Sequence, residues 1–532
     1  LHASLLFLTL LLITPTLWAQ DFGRTRIQVG LENPWEITYG PDDHLWVSEQ
    51  GGRVIRVDPQ TKTAEEVFRA GDYFPGSDLE KGPCGLGVGA NTFGLALHPD
   101  FSNPATAFVY LIYSYNSGTE EEPRTLFKLV ELKWGADAGA ILESRDLVTG
   151  LANGYDHFGG RLIAVRQQGK DYLYYSTGDT GSNRADCYDS PADNPNTTTQ
   201  DPYTKVGKVH RVFTDGTVPP DNPIPGNTFF TRGHRNPQGL AYNPNAEVVY
   251  AIEHGHTTDD EVNVLDAGMN YGWKDVQGYH DGNYPDELAY VADYQPHPDV
   301  PGDELREPLF AWGAVEQVDG GFPTWPTVAP SDGIFYGSDG IPGWDNSLLV
   351  VTLKNGTTTD QELYRFKLTA DGRALAPSTP DDPNPATYFG DDQIFNGRLR
   401  DIAVSPDGKQ LFLITNNRNV PDPIIVYTLA EPVSLSPDPD TDLIVYAAAP
   451  NPFTHETTIR AELRHLGHLR VEVVDALGRR VRTLTDGDLP AGPHTISWDG
   501  SDASGHPLPN GLYRYILRFD QTRTTHQILL AR

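Results

Sequence analysis

Cysteine is almost absent from this chain. Cys84 and Cys187 are the two in 532 residues. Both lie in Gly/Pro/Asp-rich loops, and the Cys-x-x-Cys and Cys/His spacings of zinc sites are missing. A disulfide between them and two free thiols both stay open. Long apolar runs are scarce too. Leu5–Ile13 is the conspicuous one, and it is too short to cross a bilayer. Followed by Pro15 and Leu17-Trp18-Ala19-Gln20, it suits a signal-peptide core cut near Ala19, although no Lys or Arg precedes it. We therefore expect 1–19 to be a signal peptide and the mature chain to carry no transmembrane segment. The protein would be exported to the extracellular space or outer-membrane surface, with the periplasm the lesser alternative. Basic charge is in deficit: 40 Lys and Arg face 72 Asp and Glu, a net charge of −32. Such a surface repels nucleic acid and anionic lipid, and favours solubility and cation binding. Nucleic-acid binding is excluded on this ground.

Patterns that could form long helices are also few, whereas Gly (52), Pro (43) and Tyr (25) are plentiful. That composition points to a β-rich protein with many turns, and the length to two or more domains. One kind of unit recurs: a strand, a Pro-Asp-Gly-like turn and a second strand. It begins at Trp35, Phe93, Arg161, Gln238, Asp332 and Arg400. Arg53–Asp58, Glu261–Leu265 and Leu363–Leu368 add third strands. Six such repeats predict an all-β, six-bladed β-propeller of four-stranded antiparallel sheets. In the third unit, Arg161–Val165 and Tyr172–Thr177 should be strands joined by a turn over Arg166–Asp171.

In an antiparallel hairpin the start of the first strand lies beside the end of the second. Asp156 and His157 therefore meet Gly178-Asp179-Thr180-Gly181. A neutral imidazole next to a carboxylate is a base with its orienting acid. The same reasoning brings Arg235-Asn236, Lys354, Arg398 and Arg400 to the equivalent ends of other units, where a propeller binds ligands. Cations gathered there in so acidic a chain call for an anionic ligand, because Arg matches carboxylates with paired donors. Asp259-Asp260-Glu261, after Glu253–His256, offers oxygen ligands to a hard cation such as calcium. His254 and His256 leave a transition metal as the lesser alternative.

These residues carry a resemblance. Asp156-His157-Phe158-Gly159-Gly160-Arg161-Leu162, Thr177-Gly178-Asp179, Gly233–Leu240, Asn270-Tyr271-Gly272-Trp273, Trp325–Ser331 and Leu399-Arg400-Asp401 resemble the soluble quinoprotein glucose dehydrogenases and their aldose and sorbosone relatives. The resemblance implies a propeller over residues 24–430 that holds pyrroloquinoline quinone (PQQ) and Ca2+ over its channel. It implies His157 as the base for the C1 hydroxyl of a sugar, Asp179 as its orienter and Arg235 as the stabiliser of developing negative charge. It matches Asn236, Thr327, Lys354, Arg398 and Arg400 with quinone binding. It matches the carbonyls of Gly255 and His256 with one calcium site, Glu261 and Tyr271 with a second, and Gln277, Tyr279 and Asp281 with a third. Asp156 is kept on the substrate side. Departures fall at Gly89 and Arg184, where the glucose enzymes have Gln, and at His254 and His256, where they have Gln and Pro. The redox machinery is thus better matched than glucose as substrate. A soluble or membrane-linked electron acceptor is implied as partner.

Residues 431–442 form a Pro/Asp linker. The remainder, 443–532, reads as a small Ig-like β-sandwich with strands at Thr457–Leu463, Leu469–Val474, Thr495–Trp498 and Tyr513–Phe519. Pro450-Asn451-Pro452-Phe453, Trp498-Asp499-Gly500 and Asn510-Gly511-Leu512-Tyr513 resemble the C-terminal sorting domain of type 9 secretion cargo and the flagellar hook-cap Ig-like repeat. That implies the type 9 secretion machinery as a partner. Two other functions fit parts of the pattern: a calcium-dependent lactonase or hydrolase, and a non-catalytic surface sugar-binding propeller.

Overall fold

A computed structural model describes residues 22–80, 88–154, 156–181, 194–313, 326–354, 362–379, 382–389, 398–416, 421–429, 442–475, 478–520 and 522–531. The expected signal peptide, Cys84, Cys187, Arg184 and all of the linker but Asp442 lie outside the described residues.

The chain divides into two compact units, 24–427 and a second built around 428–532. Between residues 22 and 429 the described residues form six four-stranded antiparallel sheets. The first five follow chain order. Their opening strands are Pro34–Tyr39, Thr92–Leu97, Gly159–Gln167, Pro237–Asn243 and Pro330–Tyr336. The sixth opens at Arg398–Val404 and continues through Gln410–Asn416 and Asp422–Leu429. It takes its last strand, Phe22–Leu31, from the start of the chain. The six opening strands contact one another in order, and the sixth contacts the first. This is an arrangement consistent with a propeller.

Each opening strand breaks register near its start, as between Pro34 and Glu36 or Gly159 and Leu162. A bulge there re-aims side chains at the channel end, a common device beside binding sites. Neighbouring sheets share apolar clusters. Trp46 is fully buried between the first and second sheets. It makes edge contacts with Phe101 and Trp134 at 5.5 and 4.9 Å.

The third hairpin is tighter than expected. Its strands run to Gln167 and from Lys170, so the turn is Gln168-Gly169 and not the whole of Arg166–Asp171. Both turn residues have positive φ, 49° and 74°, which matches the right-handed strand twist in a two-residue hairpin. The Arg166–Asp171 ion pair at 2.7 Å bridges the two strands.

The second unit has a sheet of Leu443–Val445, Thr457–Leu463 and Gly492–Trp498, and another of Arg480–Leu489, Gly467–Val474, Gly511–Phe519 and Thr522–Leu530. Val445, Ile459, Leu469, Trp498 and Tyr515 are among its core residues.

Trp46→Ala should remove one of the two tryptophans packed between the first two sheets and cost about 3–5 kcal/mol. Urea unfolding of the full chain measures it.

Candidate active site

The catalytic candidates meet where the third and fourth sheets open onto the channel. Gly178 permits the meeting. A Cβ there would lie 1.9 Å from the His157 carbonyl oxygen, so any larger residue would push the two strand ends apart. Gly160 has φ 87°, and a Cβ on it would strike the Phe93 ring. The backbone is then laced: Thr180 N donates to His157 O at 3.2 Å, and Asp179 N to Arg235 O at 2.8 Å.

His157 Nδ1 lies 2.8 Å from Asp179 Oδ1. Asp179 also accepts from Gly181 N at 3.1 Å and, through Oδ2, from Trp273 Nε1 at 2.8 Å. A carboxylate so engaged favours the tautomer with hydrogen on Nδ1 and leaves Nε2 as the basic nitrogen. Nε2 is 3.2 Å from Arg235 Nη2 and 3.6 Å from Asp156 Oδ2. Arg235 is buried, and burial pushes its pKa down against the pull of Asp179, Asp156, Asp260 and Glu253. Its guanidinium lies 5.3 Å from the Trp273 ring, and Nη1 donates to His254 O at 3.2 Å. Trp273 was visible in sequence only as part of a motif. Its role as the second donor to Asp179 crosses from one sheet to the next and has no local signal.

A cavity of about 480 Å³ opens beside the base. Asp156, His157, Phe158, Gln238, Arg398 and Arg400 are in its wall. Arg400 is buried, donates through Nη1 to Gln238 Oε1 at 2.8 Å, and holds its Cζ 3.1 Å from the Trp35 ring centroid. Its Nε and Nη2 are buried without a hydrogen-bond partner among the described residues, as is His254 Nε2. Asn236 accepts from Gly159 N at 3.2 Å. Lys354 Nζ donates to the carbonyl of Thr327, and both residues are buried.

Asp260 joins these parts. Its Oδ1 accepts from Gly255 N at 2.8 Å; its Oδ2 accepts from Val328 N and Ala329 N at 2.6 and 2.7 Å. One carboxylate therefore pins the Gly255–His256 loop to the segment carrying Thr327. Burial raises its pKa to about 6 against those three donors. Burial also lowers His256 to about 4, with Arg235 and His157 adding to the shift. The His256 ring faces Trp273 at 6.3 Å.

The other metal candidates form two groups. Glu261, Tyr271 and Gln277 line a void of about 10 Å³ together with Glu253 and Asp259. Glu261 accepts from Gly278 N and Asn263 Nδ2 at 2.7 and 2.8 Å, and burial raises its pKa well above the usual range. Both amide atoms of Gln277 are buried without a partner among the described residues. Tyr279 and Asp281 share a turn, with Asp281 N donating to Tyr279 O at 2.8 Å. On the substrate side, Gly89 is backed by Phe158, whose ring a Cβ at 89 would strike. Its carbonyl accepts from Asn153 Nδ2 at 2.7 Å.

The family model described as glucose/sorbosone dehydrogenase matches residues 31–422. The chain belongs to that family. It is 30% identical over 482 residues to quinoprotein glucose dehydrogenase B of Acinetobacter calcoaceticus, covering 80% of this chain and 93% of that protein. It is 26% identical over 431 residues to an aldose sugar dehydrogenase of Escherichia coli, covering 78% and 96%. A solved PQQ-bound aldose sugar dehydrogenase from Streptomyces coelicolor shares the fold, with TM-score 0.54 and 22% identity over 77% of this chain and 98% of that one. A FlgD Ig-like domain model matches residues 454–518. These matches support an oxidoreductase of the sugar dehydrogenase type with an Ig-like C-terminal domain.

Asp260→Ala should leave three amides unpaired, the Val328 one buried and those of Gly255 and Ala329 partly so, at up to roughly 1–3 kcal/mol each before relaxation. Faster hydrogen exchange confined to Gly255, Val328 and Ala329, with lower stability in urea, is the expected result.

Proposed function

We propose that the chain is an exported six-bladed propeller enzyme that oxidises an aldose or related sugar at C1 to the lactone or acid, with PQQ as electron acceptor and calcium beside it. The observation that carries this reading is the imidazole of His157. Its Nδ1 is engaged by Asp179, and the residue lines a cavity whose wall also holds Arg398 and Arg400. The residues fit a flat polyanionic quinone: Arg400 and His254 keep buried nitrogens without partners among the described residues. Asn236, Thr327, Lys354, Arg398 and Arg400 would hold it. The carbonyls of Gly255 and His256 would meet a calcium ion there. The unpartnered amide of Gln277 beside Glu261 and Tyr271 suits another hard cation, and Tyr279 and Asp281 a third. When bound, the quinone supplies the two-electron acceptor for the C1 hydride.

The chain's own residues do the proton chemistry. Nε2 of His157 takes the C1 hydroxyl proton. Asp179 stabilises the imidazolium that results, while Trp273 and Gly181 keep Asp179 in place. Arg235, held by Glu253 through its backbone N at 3.0 Å, puts a guanidinium where negative charge develops. Asp156 stands beside the base to orient the sugar. We read the Ig-like tail as a type 9 secretion sorting domain, on the strength of its fold and its Pro450-Asn451-Pro452 and Trp498-Asp499-Gly500 motifs.

The test adds PQQ and calcium to the isolated chain with an aldose panel and an artificial acceptor. Dye reduction and a quinone absorbance change on binding are expected. Failure of both across the panel would overturn the reading, and lactone hydrolysis without quinone would replace it. His157→Ala should keep the absorbance change and lose roughly 10²–10⁴-fold in turnover. An equally active variant would remove His157 as base.

A further inference from the structure

Within or immediately after the register break of each opening strand stand Glu36, Gly94, Arg161, Gly239, Asp332 and Asp401. They form one layer of the channel. The two glycines are obligatory. A Cβ on Gly239 would lie 2.8 Å from Asp332 Cα, and one on Gly94 2.5 Å from Leu162 N. The layer is therefore three carboxylates and one guanidinium, all buried.

Arg161 Nη1 reaches all three acids, at 2.5 Å from Glu36, 3.1 Å from Asp332 and 3.3 Å from Asp401. Its Nε donates to the carbonyl of Gln238 at 2.7 Å. The acids in turn hold neighbouring sheets. Asp401 accepts from Ile37 N at 2.6 Å, and Asp332 from Leu240 N at 3.2 Å. Among the described residues these acids are the group close enough to share a metal ion, but the guanidinium already bonds at that point. One residue nearer the cavity, Gln238 accepts from Arg400 Nη1. Arg161 thus fixes the backbone of the residue that fixes Arg400.

The charges in reach do not balance. Glu36 faces Arg161 and Asp401; Asp332 faces those two and Glu36; Arg400 faces Arg161, Arg398, Asp401 and Asp332. Arg398 acts on Arg400 and is not among the main charges acting on Glu36 or Asp332, so two guanidinium groups, Arg161 and Arg400, oppose three carboxyls, and a third full negative charge without water is costly. Burial accordingly raises the pKa of both Glu36 and Asp332 well above the usual range.

We propose that Arg161 is a positioning residue for the cavity floor, and that one proton shared between Glu36 and Asp332 brings the three acids into balance with Arg161 and the neighbouring Arg400. The inference does not rest on the proposed activity, and its test needs no quinone. A carboxyl whose folded pKa is raised makes the folded chain bind more protons than the unfolded one. Its contribution is complete below about 4.3, where a free glutamate titrates, and is lost as pH rises toward the folded value. Each such proton multiplies the unfolding constant by about ten per pH unit.

Urea unfolding of the full chain, followed through the propeller transition from acidic to alkaline pH, reads this out. Glu36→Gln carries the neutral form permanently. It should match wild type at acidic pH and lose stability up to tenfold less per pH unit above it. Asp332→Asn should flatten the profile in the same way, which keeps the test open if one variant fails to fold. Profiles parallel to wild type in both would overturn the shared proton. Arg161→Lys cannot span three acids and the Gln238 carbonyl, so amide exchange at Ile37 and Leu240 should speed by tenfold or more. Unchanged exchange there would overturn the positioning role.

Discussion

Buried charge has to find partners, and in this fold it finds them across sheet boundaries. The opening strands converge on an axis where four of the six bulges turn a charged side chain inward and the other two carry glycine. Asp179 bonds to His157 of its own sheet but to Trp273 of the next. Asp260 of the fourth sheet accepts from Val328 and Ala329 at the edge of the fifth. Asp401 of the sixth accepts from Ile37 of the first. The same contacts that close the ring aim the site, so the geometry of the base is inseparable from the closure of the channel.

What was legible in sequence follows from this division. A hairpin is local, so the pairing of His157 with Asp179 could be read from two strands and their ends. The opening and second strands were legible because they are apolar and repeat. The outer strands were not: Thr63–Arg69 is mostly exposed and polar, and only its pairing with Arg53–Asp58 defines it. Phe22–Leu31 was missed as the closing strand of the last sheet, because its partner lies at the far end of the propeller sequence. Trp273 was missed as a site residue, and Asp260 was read as a cation ligand and not as an anchor, for the same reason. Their bonds span sheets, and no spacing along the chain encodes them. Arg161 stood within a recognised motif, yet its three acids come from residues 36, 332 and 401.

The substrate side of the site also has physical content. At Gly89 the space is taken by Phe158, which packs against Phe93 and Phe127 at 5.9 and 5.6 Å. An aromatic wall therefore stands next to the base. A wall of that kind discriminates poorly between hydroxylated and deoxy ligands, whereas a hydrogen-bonding one discriminates strongly. The loop of His256 does not depend on that side chain in the same way, because Asp260 anchors it through the backbone N of Gly255.

The distribution of charge adds a last step. With 72 acidic and 40 basic residues, the chain has acids to spare, and it uses the buried ones in two ways. Asp179 and Asp260 accept several hydrogen bonds each and serve as fixed anchors. Glu36, Asp332 and Asp401 gather on a single guanidinium and surround it with more negative charge than it can balance. Anchors of the first kind hold reactive groups still. A cluster of the second kind sets the electrostatic background beneath Arg400, so the cationic wall of the cavity rests on a layer whose charge is set by protons rather than by side chains alone.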